Sequence, residues 1–404
     1  MLRPAINLYN TATRRVEPLQ YDDSRVSLYV CGVTPYDTTH LGHAFTYVAF
    51  DTLRRSLTSF GLTVDYAQNV TDIDDDILRK SAELAIPYDQ LARDETSRYL
   101  TDMASLNVPE PDHFICATRI IPDIVEAVSE LLEQGYAYQS KGNIYFDRRR
   151  FPRYGELSWA PREQMIELAA THGGFPDDPR KRDPLDFLLW QAEQAGEPSW
   201  PAPFGEGRPG WHIECSTIAA SVLGLPVDIH GGGRDLVFPH HESEIAQVES
   251  VHPSPFVRHW MHTGMVRFEG EKMSKSLRNL VLVRDLLERY SPSVVRLYLL
   301  SHHYRSDFEF FETDLAAMVE LDVRLSRLAG NPEGSLAQAA SPAAQEASDL
   351  LRNDLDTPAV VDLLRRLAVA AETNPLDREA PGAILHIAGV LGVPLSATST
   401  VLQP

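Results

Sequence analysis

One stretch near the N-terminus limits the possible folds more than any other. Val26-Ser27-Leu28-Tyr29-Val30 is short and β-rich and ends at Cys31-Gly32, the pattern of a buried strand. After a turn through Pro35, the residues Phe45, Ala49, Leu53 and Leu57 recur every four positions, as one apolar face of a helix does. Gly61 is well placed to end that helix, and Val64 to Val70 reads as a second strand. Strand, helix and strand in this order form a βαβ unit, and such sheets bind ligands at the carboxyl ends of their strands. Cys31, His40 and Asn69-Val70-Thr71 fall at that edge.

The rest of the chain extends this plan. Leu91 to Glu133 reads as mainly helical, with a stop at Gly135. Arg148 to Pro209 is rich in Pro, Gly and charge with few clear elements, as an insertion lying over a site would be. Regular α/β patterning returns from Gly210 to Val266, and a loop follows from Arg267 to Asn279. From Ala316 onward the signals are helical, broken by the small-residue stretch Gly330 to Ala344. The expected architecture is an α/β parallel sheet spanning 1–314, with an insertion at about 91–209, and a helical C-terminal domain at 315–404.

With 404 residues, 43% of them apolar, the chain can bury a large core. No stretch approaches the roughly 18 apolar residues of a membrane span, and the start Met1-Leu2-Arg3-Pro4-Ala5 lacks the apolar core of a signal peptide. Three cysteines, Cys31, Cys116 and Cys215, cannot form a disulfide framework and fit a reducing cytoplasm, where metal binding or catalysis is their use. The formal net charge of -20 counts against a nucleic-acid partner without excluding one, because local basic patches can still hold phosphate.

Two motifs carry candidate phosphate chemistry. His40-Leu41-Gly42-His43 lies at the start of the first helix, where imidazoles and free N–H groups can donate to a nucleotide's phosphates. By itself the match is weak, and the plain alternative is a pair of surface histidines. Lys272-Met273-Ser274-Lys275-Ser276 lies in a polar loop and can follow a departing pyrophosphate, or be a solvated basic turn. Together, in this order and on these elements, they resemble the HIGH and KMSKS signatures of class I aminoacyl-tRNA synthetases. The resemblance covers residues 5–315 and implies a Rossmann-type catalytic sheet, with His40, His43, Lys272 and Lys275 serving adenylate formation from Mg·ATP.

A third constellation concerns the substrate. His240 and Glu244 are four apart at a helix start and share a face, and Cys215 and Cys31 can complete a set suited to Zn²⁺. Each also has a plain structural reading, the cysteines as small buried residues and His240 as a helix cap. Tyr-Val-Cys-Gly, Gly-Trp-His-Ile-Glu-Cys-Ser and Phe-Pro-His-His-Glu resemble cysteinyl-tRNA synthetases and their relative, the cysteine ligase of mycothiol biosynthesis. The resemblance implies one zinc held by Cys31, Cys215, His240 and Glu244, with His241 and Glu242 as neighbours and Cys116 structural. It also implies an adenylate pocket of Cys31, Thr34, Thr46, Asn69, Thr71, Trp211, Gly233, Asp235 and Val266. The acidic run Asp72 to Asp76 reads as a solvated helix start.

The two families differ in acceptor, tRNA for one and the amine of glucosaminyl-inositol for the other. Pro35 and Phe45, Asp76, the segment Thr171-His172-Gly173-Gly174-Phe175-Pro176, and only 128 residues after Ser276 resemble the sugar ligase. Asp186-Phe187-Leu188-Leu189-Trp190 and Ser274-Lys275-Ser276-Leu277 resemble the synthetase, and Arg278 departs from the glycine usual in both. The expectation is an L-cysteine ligase acting as a monomer on a small amine, away from membranes. The alternatives are a tRNA-charging synthetase or a non-catalytic paralogue. The insertion around Gly173-Gly174 is expected to form part of the sugar pocket, with Asp37 and His212 as candidate bases for the transfer step.

Overall fold

The computed structural model describes residues 5–36, 39–273, 279–329, 341–374 and 379–395. Lys275 and Asp37 lie outside the described residues, and of Lys272 only the backbone is described.

At the centre is a five-stranded parallel sheet, ordered Val257–Thr263, Val227–Gly233, Arg25–Val33, Thr63–Val70 and His113–Cys116. The chain winds outward from Arg25–Val33 in one direction, then returns on its other side. The switch point therefore lies between Arg25–Val33 and Val227–Gly233, whose carboxyl ends are Cys31-Gly32-Val33 and Gly231-Gly232-Gly233. Such a crevice is where open α/β sheets take ligands.

Period-two alternation in the first core strand divides its residues between two layers. Val26, Leu28 and Val30 join a core with the helix Leu41–Ser59, including its stripe Phe45, Ala49, Leu53 and Leu57. Burying each large member of that stripe stabilises by roughly 2 kcal/mol, against propensity differences of tenths. Packing therefore holds this helix in place. Tyr29 and Cys31 point the other way, into a core with Cys215, Ile218 and Ala219 of the helix Trp211–Leu223. This alternation is why the two cysteines meet.

Residues 91–133, read as mainly helical, hold the helices Tyr88–Ser105 and Ile121–Glu133 but also the sheet's edge strand His113–Cys116, whose four residues are too few to stand out by pattern. Arg148 to Pro209, read as poor in elements, contains the helix Arg162–Thr171 and the strands Phe187–Ala192 and Gly207–Pro209. These strands pair antiparallel with Ala137–Ser140 and Asn143–Phe146 in a four-stranded sheet. That sheet and its helices share a second core with Ile213 and Phe238, beside the central sheet.

The C-terminal helices Glu312–Ala329, Pro342–Arg352, Thr357–Thr373 and Glu379–Val390 are as the pattern predicts. They join the core of the helix Leu41–Ser59 through the helix Pro292–Leu300. Arg296, fully buried, pins this junction: its guanidinium donates to Asp51 and to the carbonyls of Leu391 and Leu106.

Candidate active site

Gly32 is fixed by close approach. The ladder between the first two core strands slips between Val30 and Val33, and a Cβ at Gly32 would come within 1.7 Å of the Asn69 carbonyl oxygen. The Gly32 N–H donates to Asn69 Oδ1 at 2.6 Å, and the Tyr29 hydroxyl donates to the same atom at 3.2 Å. Asn69 Nδ2 donates to Thr71 Oγ1, and Thr71 donates onward to the buried carboxyl of Glu214 at 2.9 Å. Burial, then the neighbouring Cys215, pushes the Glu214 pKa well up.

On the other side of Cys31 lies a nest of buried histidines. His240 and Glu244 keep their four-residue relation, though the regular helix Glu242–Val251 starts later than the sequence pattern implies. Val237–His241 forms a tight turn with Phe238 extended. His240 Nε2 stands 3.2 Å from Glu244 Oε1, and Cys31 Sγ is 3.8 Å from the same oxygen. The ligand atoms of Cys31, His240, His241 and Glu244 all lie within 4.8 Å of one another. His241, expected to be only a neighbour, has Nε2 at 3.2 Å from Cys31 Sγ. Cys215 stands against Cys31, hydrogen-bonded to it, and lies outside that converging set of four. Glu242 turns away and accepts from the N–H groups of Gly155 and Ser158 in the inserted region.

The donor set fits a cation. Burial pushes the Cys31 and Glu244 pKa values well up and those of His240 and His241 well down, so the anionic forms lack a counter-charge. Among the described residues, the ion-pair partners of Glu244 are histidines only. A divalent ion would supply that charge, and a ring of outer contacts is placed to orient its ligands. His212 Nδ1 meets His240 Nδ1 at 2.9 Å, His230 Nε2 meets Glu244 Oε2 at 3.1 Å, and His262 Nε2 meets His241 Nδ1 at 2.7 Å. His262 in turn meets Thr11 Oγ1 at 2.8 Å. Sequence reasoning missed His230 and His262; their sign is a histidine at an inward position of a buried strand, where an apolar residue is usual. Trp211 stacks on His240 with ring centroids 4.3 Å apart.

The His40–His43 motif is built differently. His40 caps the helix Leu41–Ser59, its Nδ1 accepting from the N–H groups of Gly42 and His43 at 3.1 and 3.4 Å. Its proton therefore resides on Nε2, as a donor. His43 stacks on His40 at 3.8 Å, and a Cβ at Gly42 would meet the His40 ring at 2.9 Å. The small residue between the histidines is thus required by the stack. Leu41 N–H donates to the Val281 carbonyl and Val283 N–H to that of Thr39, so the segment following the lysine loop pairs with the His40 turn. This ties two chain segments distant in sequence to one another at the His40 turn.

The remaining predicted residues line the same edge. Thr46 Oγ1 is 2.8 Å from Thr263 Oγ1, Val266 is buried at the start of a short strand, and Thr34 follows the first core strand. Gly233 ends the strand Val227–Gly233 and Asp235 occupies the next turn, half-buried.

Residues 17–320 match the family profile described as "tRNA synthetases class I (C) catalytic domain". An L-cysteine:1D-myo-inositol 2-amino-2-deoxy-alpha-D-glucopyranoside ligase of Acidothermus cellulolyticus is 43% identical over 96% of this chain and 95% of its own length. A cysteine–tRNA ligase of Thermococcus onnurineus is 48% identical over 76% of this chain, which covers 64% of that relative's length. Mycobacterium tuberculosis methionyl-tRNA synthetase, solved with methionyl-adenylate, shares the fold at a TM-score of 0.67 and 17% identity, over 93% of this chain and 92% of that one. With its parallel sheet and switch-point crevice, the chain belongs to the class I (C) synthetase family and is a ligase of the class I aminoacyl-tRNA synthetase type.

Proposed function

We infer that this ligase activates L-cysteine with Mg·ATP, giving cysteinyl-AMP and pyrophosphate, and passes the cysteinyl group to the amine of glucosaminyl-inositol. The observation that carries the cysteine reading is the convergence of Cys31, His240 and Glu244, with Cys215 beside them, at the switch point of the sheet. Zinc held there by Cys31, Cys215, His240 and Glu244 would bind a substrate thiolate and leave a serine hydroxyl unbound. Cysteine and serine differ by one atom, a difference that pocket shape alone discriminates poorly.

Around that centre, Asn69, Thr71 and Trp211 border the cysteinyl group. Thr34, Thr46, Gly233, Asp235 and Val266 face the nucleotide, with Asp235 on the ribose hydroxyls. His40 and His43 serve the phosphates from the helix N-terminus, while Lys272 and Lys275 follow the leaving pyrophosphate. Free thiols at Cys31, Cys116 and Cys215 suit a reducing cytoplasm.

The sugar amine is favoured as acceptor because similarity to the ligases named for it runs over 96% of this chain, the C-terminal helices included. Similarity to the cysteine–tRNA ligases runs over 76–77%. The test has two arms. Cysteine, and not serine, should drive exchange of pyrophosphate into ATP. With cysteine and ATP supplied, glucosaminyl-inositol should be converted to the cysteinyl amide while tRNA for cysteine stays uncharged. Charging of the tRNA without a sugar conjugate would overturn the acceptor and leave the activation chemistry standing.

A further inference from the structure

The transfer step needs a base, and neither expected candidate supplies one from the described residues. Asp37 lies outside them. His212 has Nδ1 committed to His240 and its ring walled by Trp211 and Phe187.

His172 stands differently. It caps the C-terminus of the helix Arg162–Thr171, which packs on the turn Val237–His241 carrying His240. Met165 and Ala169 anchor that helix in the same core as Phe238. Burial first, and then neighbouring groups that include His172, hold the His212 and His240 pKa values down, which sets His172 near the candidate metal centre on the helix that packs against the His240 turn. The tautomer is fixed by geometry: Nδ1 lies 2.8 Å from the Leu168 carbonyl oxygen, which can only accept. Thr171 Oγ1, which donates to that same carbonyl, is 3.1 Å from Nδ1 and accepts in its turn. Nδ1 therefore carries the proton and Nε2 presents a lone pair.

The loop beyond His172 is built to a fixed shape. Gly174 N–H donates to the Ala169 carbonyl at 2.8 Å, and Lys181 Nζ donates to the Gly174 carbonyl. Phe175 is held at φ +44° and left 69% exposed, a flat apolar face of the kind a sugar ring's C–H groups can cover. The titratable groups that face His172 are His212 on the helix Trp211–Leu223 and His240 on its turn, while Lys181, which holds the Gly174 carbonyl and also acts on His212, is flanked by Asp178, Arg180, Asp183 and Asp186.

We propose that Nε2 of His172 is the general base that deprotonates the acceptor amine, with the loop through Phe175 forming the acceptor's seat. This rests on the amine-acceptor reading above. The ammonium group of the acceptor gives one proton to Nε2. The freed nitrogen lone pair then attacks the acyl carbon, and the C–N bond forms. The C–O bond to phosphate breaks with its electron pair leaving on AMP, and the nitrogen's second proton passes to solvent.

The test uses the full chain with cysteinyl-adenylate formed in place, in single turnover, for wild type, His172→Gln and His172→Ala. Two acceptors are compared: glucosaminyl-inositol, and hydroxylamine, which is already neutral near pH 7 and needs no base. Pyrophosphate exchange should stay within about two-fold of wild type. Transfer to the sugar amine should fall by roughly 10²-fold or more, and hydroxylamine capture should change little. Sugar transfer within about three-fold of wild type, or equal slowing with both acceptors, overturns the base assignment. No sugar transfer by wild type overturns the amine reading itself, and the two failures are thereby told apart.

Discussion

Arg296 donates its guanidinium to Asp51 at a junction from which both side chains are excluded from water, 0% and 2% exposed. Asp51 lies on the helix that His40 caps, and Arg296 also holds the Leu391 carbonyl of the C-terminal region. Removing Asp51 leaves the buried Arg296 guanidinium without its carboxylate, whereas removing Arg296 leaves Asp51 with Arg55, whose Nε donates to it at 2.9 Å. Asp51→Asn should cost about 3–5 kcal/mol of unfolding free energy in urea titration, Arg296→Met less because Arg55 stays on Asp51, and the double change Asp51→Leu with Arg296→Met distinctly less than the sum. Additive losses would mean that the two residues act independently.

Metal content is the second check. Wild-type protein should carry close to one zinc per chain, and Cys31→Ser or Cys215→Ser should lose most of it. His212→Ala, which removes the outer contact to His240 along with the ring packing on Trp211 and Phe187, should weaken metal affinity roughly 10- to 100-fold. Full zinc retention in both serine variants would remove the cysteines from the ligand set.

Gly42→Ala pits helix propensity against the histidine stack. Alanine is the better helix former, so thermal unfolding should hold or rise. The added methyl meets the His40 ring at 2.9 Å, and turnover in pyrophosphate exchange should fall about 10²-fold with the cysteine KM little changed. Wild-type exchange would show that the stack is dispensable.

Lys181 gives a pH signature. Burial pulls its pKa from 10.5 down to about 8. Between those values the unfolded chain binds the proton and the folded one does not, so this residue's contribution to stability rises with pH across the window. Relative to Lys181→Met, the wild type should gain roughly 2 kcal/mol of unfolding free energy between pH 8 and 10.5. A constant difference across that range would count against the burial.

Legibility in the sequence followed periodicity. Phe45, Ala49, Leu53 and Leu57 announce their helix because one face is uniformly apolar, and all four are buried. The cysteines and His240 were legible through motif and spacing. The edge strand His113–Cys116 was not, since four residues carry too little pattern beside two long helices. The tight turn Val237–His241 was hidden as well, because a four-residue spacing reads the same whether the helix begins at Phe238 or at Glu242. The roles of His230, His241 and His262 emerge only when strands distant in sequence stack their ends together.

The short pairing of Thr39–Leu41 with Val281–Val283 bears on how such a chain can change over time. It clips the His40 turn to the segment that follows the lysine loop, across more than half the length of the polypeptide. The inserted sheet and the His172 loop lie in the interval that this clip closes off. The interval also holds central strands and the candidate metal ligands Cys215, His240 and Glu244, so change is freest in the inserted sheet and the His172 loop, where a lineage can exchange what it delivers its amino acid to while the pairing and the central sheet keep their places.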